Sequence, residues 1–262
     1  MTNAIDARRL VKELESLLES LPSEPVDSVG LKTSERRRLR ELIEQTIEAL
    51  QRTLSGLDPI RQPPHVLDPS DPDVIGKLIA DTLLVQPRHS LSAVSTFYGS
   101  GVYAIYYTGA FPAYDLITGT DKPIYVGKAD PATSDAVSPS SQGTRLWRRL
   151  QDHRKTISAA TTTLNIKDFE CRFLVVKSAW QGTAETYLID RFKPVWNNEI
   201  GICYGFGKHG DSADTRSNTR SPWDTLHPGR KWAGKGNKPN PLSAAKIAAL
   251  IVAHLKKMAG LS

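Results

Sequence analysis

The chain has 262 residues, 39% of them hydrophobic and 24% charged, which is ordinary globular composition and enough for one fair-sized core with appendages. Its 34 Lys and Arg against 28 Asp and Glu leave a net charge of +6, which admits an anionic partner without requiring one. Cys171 and Cys203 have no Cys or His neighbour at metal-ligand spacing, which argues against a zinc knuckle and for free thiols in a reducing cytoplasm. The charged start Met1-Thr-Asn-Ala-Ile-Asp-Ala-Arg-Arg9 does not suit a signal peptide, and no run approaches the roughly 18 apolar residues of a membrane span, so a soluble, cytoplasmic protein with no membrane attachment is expected.

From Asp6 to Leu21 the residues Leu10, Leu14, Leu17, Leu18 and Leu21 recur at helical spacing, and Leu39, Leu42, Ile43, Ile47, Leu50 and Leu54 repeat the pattern. Pro22 to Gly30 separates the two runs, and five prolines between Pro59 and Pro72 follow them. Residues 1–57 therefore read as a helical hairpin that packs on itself, on the main domain or on a second subunit, and residues 58–95 as a linker with a packing helix. Gly101-Val-Tyr-Ala-Ile-Tyr-Tyr107 is β-branched and aromatic, a strand, and Pro123-Ile-Tyr-Val-Gly127 is a second, with a loop from Gly109 to Lys122 between them. Gly143 to Ala159 reads as a helix, Phe169 to Val176 as a third strand, and Thr183 to Phe192 as a helix that stops before Pro194. This order predicts an α/β (α+β) fold, a small mixed or antiparallel three-stranded sheet flanked by helices, with its core at residues 96–200. Residues 201–262 close the chain: Gly205 to Asn240 is a basic, mostly irregular arm with seven Lys or Arg against three Asp, and Ser243 caps a last helix from Ala244 to Met258.

Two polar residues stand where apolar ones are expected. His153 occupies the stripe of Leu146, Leu150 and Ile157 on its helix. A lone histidine there is ordinarily a neutral core residue, but Arg149 lies one turn before it and Arg145 a further turn back, so a guanidinium and an imidazole project toward one spot. Glu185 shares a stripe with Leu188, Ile189 and Phe192. A carboxylate desolvated in this way needs a cation beside it, Arg149 or a metal, or a shifted pKa; a structural salt bridge is the alternative. Tyr103 and Tyr125 come from adjacent strands, each beside a glycine that lets a large ligand approach the backbone. Two phenols, an arginine, a histidine and a buried carboxylate converging on one sheet suit phosphate-ester hydrolysis, in which a base takes a proton from water, cations bear developing charge and a metal stabilises the leaving oxygen.

Gly101-Val-Tyr103 followed by Tyr125-Val-Gly127 resembles the pair of triplets of the GIY-YIG nuclease superfamily. The remaining markers follow in that family's order: Arg149 and His153, Glu185 on a helix, and Asn197 in Lys193-Pro-Val-Trp-Asn197. Ile124-Tyr-Val-Gly-Lys-Ala129, Gly205-Phe-Gly-Lys-His209 and Trp223-Asp-Thr-Leu-His-Pro-Gly-Arg-Lys-Trp-Ala233 further resemble the type II restriction endonucleases of this superfamily that cut CCGCGG. The likeness covers about Pro72 to His254 and leaves the first sixty or so residues without a counterpart.

The resemblance implies roles for these positions. Tyr103 is the general base for the attacking water or a relay to it, with Tyr125 and His153 holding phenol and water in place. Arg149 binds the scissile phosphate and Lys128 adds a second cation. Glu185 is the protein ligand of a Mg²⁺ ion, for which Mn²⁺ could substitute, and Asn197 fixes Glu185 or the phosphate. A palindromic site in double-stranded DNA suits a homodimer, and a companion DNA methyltransferase belongs to such a system. Arg145, Arg216, Arg220, Arg230 and Lys231, with the loop from Asp130 to Gln142, are the candidate DNA-binding parts, since arginine reads guanine in the major groove and basic arms grip phosphates. The rival readings are a homing or repair endonuclease of the same superfamily and a DNA-binding module that has lost catalysis.

Overall fold

The structure, a computed structural model, describes residues 7–21, 33–57, 66–133, 135–177, 180–207, 219–234 and 238–261. The chain divides into two compact units, Met1–Val66 and Leu67–Ser262. The first holds α1 (Ala7–Ser20) and α2 (Thr33–Leu57). Leu17, Leu18, Leu39, Leu42, Ile43, Ile47, Leu50 and Leu54 are all exposed on them. The ion pairs Arg9–Glu13, Arg37–Glu41 and Arg40–Glu44, one turn apart, each contribute a few tenths of a kcal/mol to their helices. The connection from Pro22 to Gly30 lies outside the described residues.

The second unit opens with α3 (Pro72–Leu84), started by Pro72 and capped by Asp71, whose side chain accepts from the Asp73 amide. There follow β1 (His89–Ser90), β2 (Gly101–Tyr107), β3 (Tyr125–Ala129), α4 (Arg145–Ala159), β4 (Phe169–Val175), α5 (Gln181–Phe192), the short α6 (Pro222–Leu226) and α7 (Lys231–Gly234), and α8 (Ala244–Met258). The strands form one antiparallel sheet in the order β1-β4-β2-β3, flanked by helices. This is the mixed α/β class that the element order implies, with a fourth strand, β1, added at one edge.

All seven residues of β2 are buried, because helices cover both faces of the sheet. Tyr103, Ile105 and Tyr107 join the cluster that contains Leu146, Leu150 and Ile157 of α4. Val102, Ala104 and Tyr106 point the other way, into a cluster with Ala80 and Leu83 of α3 and Ala184, Leu188 and Ile189 of α5. The ladder pairs Tyr103 with Gly127 and Ile105 with Tyr125. Strand β3 runs two residues further along than Pro123–Gly127, so Lys128 lies within it and not after it.

The segment from Gly205 to Asn240 departs from the mostly irregular arm expected of its composition. Phe206, Trp223 and Leu226 are buried in the same cluster as Tyr103 and Leu150, and α6 and α7 lie within it. Aromatic anchors spaced through a Gly-, Ser- and Pro-rich segment pull it onto the core; residues 208–218 and 235–237 lie outside the described set. Cys171 and Cys203 are free and buried. Among the described residues, no helix is long and apolar enough to cross a membrane.

The loop between β2 and β3 is tied down through a buried polar chain. The Trp196 indole N–H donates to the Tyr114 hydroxyl at 2.8 Å, Tyr114 donates to His227 Nε2 at 2.5 Å, and His227 Nδ1–H is left to donate to Thr163 Oγ1 at 2.9 Å. Burial holds the His227 imidazole neutral, lowering its pKa from 6.5 to about 3. A depressed histidine stabilises the fold above its unfolded value and loses that contribution as pH falls toward the folded one. From about pH 6.5 to about pH 3 the loss from this one group is about 1.4 kcal/mol per pH unit. The unfolding free energy of His227→Gln, measured in urea from pH 7 to 4, should accordingly fall less steeply with acid than that of the wild type. Parallel slopes would show that His227 is already free to protonate in the folded chain.

Candidate active site

Tyr103 of β2 and His153 of α4 meet at the centre of the cluster, both fully buried, with the phenol oxygen 2.6 Å from Nε2. Tyr125 completes a triangle of rings, its centroid 6.2 Å from that of Tyr103 and 5.1 Å from that of His153. The Arg149 guanidinium, one helical turn before His153, lies close enough to both phenols to favour their ionised forms. The convergence depends on Gly127. It pairs with Tyr103 in the ladder, and a Cβ there would collide with the Tyr103 ring and hydroxyl, so the glycine of the second triplet makes room for the tyrosine of the first.

Burial, with the neighbouring Tyr125 phenol, pushes the Tyr103 hydroxyl well above the ordinary tyrosine range, and Arg149 pulls it only part of the way back. Burial likewise raises Tyr125 against the pull of Arg149. Tyr103 is therefore a protonated phenol at rest. With Nε2 as the acceptor of its O–H, the imidazole proton lies on Nδ1.

The outer edge of β3 is covered by other marker residues. The Trp196 amide donates to the Ile124 carbonyl at 3.2 Å. Two residues along, the Asn197 side chain accepts from the Val126 amide at 3.0 Å and donates to the Val126 carbonyl at 2.9 Å. Two further along, the Lys128 amide lies near the Glu185 carboxylate and favours its charged form. Asn197 thus acts as a strand in miniature, with its amide group spent on β3 and not on the Glu185 carboxylate. Burial pushes the half-buried Glu185 up to about 7, Lys128 counteracts this, and the carboxylates of Glu199 and Asp130 add to the rise. The nearest balancing cation is Lys128 and not Arg149. Among the described residues, no three His, Cys, Asp or Glu group into a metal site. Mg²⁺ does not need one: it is commonly held by one or two carboxylates with water and phosphate oxygens. A half-buried carboxylate short of positive charge at the edge of the phenol cluster fits that ion.

A cleft of about 550 Å³ opens beside the cluster, lined by Lys128, Asp130, Arg145, Arg148, Arg149 and Asp152. Asp130 holds the Lys128 ammonium through both oxygens, at 2.9 and 2.7 Å. Arg148, which the sequence reading passed over because it lies off the apolar stripe, stands on this wall with Arg145. Phe206 was also missed as a site residue: its ring stacks on His153 at 4.5 Å and 17°, and a Cβ on Gly207 would stand 3.1 Å from the Tyr125 hydroxyl. The Gly205-Phe-Gly-Lys-His209 likeness was the available signal.

Of the candidate DNA-binding residues, Arg145 and Lys231 are exposed and Arg220 is half-buried, while Arg216 lies outside the described residues. Arg230 has to be reassigned. It is 7% exposed and spends its guanidinium on the buried Asp224, so it is not presented to a DNA groove. Gln142, at the end of the candidate reading loop, is buried too, bonded to the Ser100 amide and the Val176 carbonyl.

The model of the Eco29kI GIY-YIG domain matches residues 95–255, a span that contains every residue of this site. The chain belongs to this GIY-YIG restriction endonuclease family. It is a nuclease domain whose substrate is DNA. No curated protein matches the chain.

The Asn197 bracket has a measurable consequence. Asn197→Ala leaves the Val126 N–H and C=O without their partners inside the protein, at about 1 to 3 kcal/mol for each group. Urea unfolding should show a loss of roughly 2 to 6 kcal/mol together with loss of cleavage. An unchanged midpoint would mean that β3 is held without it.

Proposed function

We propose that the chain is a Mg²⁺-dependent type II restriction endonuclease that cuts both strands of double-stranded DNA at the palindrome CCGCGG as a homodimer. The observation that carries the hydrolytic reading is the Tyr103–His153 hydrogen bond, with Arg149 against both phenols and Glu185 at the adjacent strand edge. The site CCGCGG rests on the likeness of segments 124–129, 205–209 and 223–233 to enzymes that cut it. Two identical active sites about a two-fold axis are the simplest way to cut such a palindrome. A cell carrying this activity has to protect its own sites, so a companion methyltransferase is expected.

Because Tyr103 rests as a phenol, it acts as a relay. Its proton passes to His153 Nε2 as its oxygen takes one from the attacking water, and the imidazolium that results is the base's final form. Arg149 is the cation for the scissile phosphate, with Lys128 beside it on the cleft wall. Tyr125 orients the water, and Asn197 keeps Tyr125 and Lys128 in register through β3. Glu185 is the metal ligand, and Mg²⁺, or Mn²⁺ in its place, would supply Lewis-acid stabilisation of the charge developing on the phosphate and leaving oxygen. Arg145 and Arg148 suit the flanking backbone, while Lys231, Arg220 and Arg216 remain candidates for contacts beyond it.

Glu185→Ala tests the metal assignment. Cleavage of a CCGCGG duplex in Mg²⁺ should fall a thousandfold or more, while gel-shift affinity in Ca²⁺ is kept or tightened, since a negative charge near the phosphate has gone. A variant that retains more than about a tenth of the wild-type rate would make Glu185 a structural residue.

A further inference from the structure

We propose that Arg230 and Asp224 form a buried clamp that positions His153 through the ring of Phe206. The inference rests on the reading of His153 as the proton acceptor given above. Arg230 Nε and Nη2 each lie 2.7 Å from an Asp224 carboxylate oxygen, and both residues are nearly inaccessible. Asp224 is itself fixed by Ser221, which donates to it at 2.6 Å and accepts from its amide at 3.1 Å. The guanidinium lies over the Trp223 and Trp232 rings at 4.7 and 4.6 Å.

What the pair holds is a piece of backbone. Arg230 Nη2 donates to the Gly205 carbonyl at 2.8 Å and Nη1 to the Phe206 carbonyl at 3.3 Å. Gly205 has φ +104, and a Cβ on it would collide with Ser221, so the chain turns there in a form that suits glycine alone. The clamp thereby sets where Phe206 starts. Its ring is fully buried, lies flat on the His153 imidazole and meets Tyr125 edge-on at 4.9 Å. Tyr103 and Tyr125 also pack against the imidazole, at 5.4 and 5.1 Å between centroids. His153 is covered by the flat ring of Phe206, and rotation of the imidazole, which would carry Nε2 away from Tyr103, requires Phe206 to give way. Replacing a buried ion pair by apolar residues is often neutral for stability. Here, however, it would also strip the carbonyls of Gly205 and Phe206 of their donor, so the effect should appear in the geometry of the reaction.

The test is single-turnover cleavage of a CCGCGG duplex in Mg²⁺, with the DNA dissociation constant measured in Ca²⁺, for Phe206→Met, Asp224→Asn, Arg230→Met and the double variant Phe206→Met/Asp224→Asn. Each single change should slow cleavage roughly 10- to 100-fold, as expected of a small misplacement of a reacting group, and leave the dissociation constant within about twofold. The double variant should be no more than about threefold slower than the slower single one, because both changes act through one ring. Multiplying effects, or a Phe206→Met rate within about twofold of wild type, would overturn the clamp, and Phe206→Met decides this even if the Arg230 variant does not fold. His153→Ala run alongside separates the two readings. If it cleaves normally, the proton-acceptor role fails; if it is inactive while Phe206→Met is normal, only the clamp does.

Discussion

The hydrogen bond between Tyr103 and His153 requires most of the fold to be as it is. The two residues are fifty apart in sequence and lie on a strand and a helix that meet only across the buried face of the sheet. For the phenol to lie flat against the sheet, its ladder partner must be glycine, and the helix must present its fourth residue in each turn at the same height. Leu146 and Leu150, on the same stripe of the helix as His153, are buried in the cluster that holds Tyr103. The bond therefore registers both the strand pairing and the depth at which α4 docks.

The same burial governs the electrostatics. A phenol and a carboxylate taken out of water each shift toward neutrality, and Arg149 and Lys128 offset this without abolishing it. The resting site is rich in protons waiting for a negative substrate. The edge of β3 couples the two halves. Asn197 takes the outward-facing groups of Val126 and Glu185 lies near the amide of Lys128, which brings the helix of the carboxylate to the strand of the second phenol.

Much of this was legible in the sequence wherever signal and structure are local. The run Gly101–Tyr107 is aromatic and β-branched because both of its faces are buried, and the stripe through Leu146, Leu150 and Ile157 exposes His153 as the exception that it is. The failures are non-local. Strand β1 has two residues, too few to alternate. Arg230 sits in a segment that is polar by composition, and nothing near it in sequence shows that its guanidinium will reach carbonyls twenty-five residues upstream. Asn197 was recognised by its place in a motif, but its work on the β3 edge depends on a strand seventy-one residues away. A short motif names the residue, and only the packing gives its partner.

The most direct test of the account is the single-turnover cleavage rate of Tyr103→Phe, which keeps the ring on Gly127 and removes only the hydroxyl. The rate should fall by a factor of roughly 100 to 10,000, the contribution of a positioned proton-transfer group, with DNA affinity in Ca²⁺ nearly unchanged and a stability loss of only about 1 to 3 kcal/mol from the buried Nε2 left without its partner. A rate within about tenfold of wild type would show that the proton of the attacking water leaves by another route, and that the Tyr103–His153 bond is a feature of the core and not of the reaction.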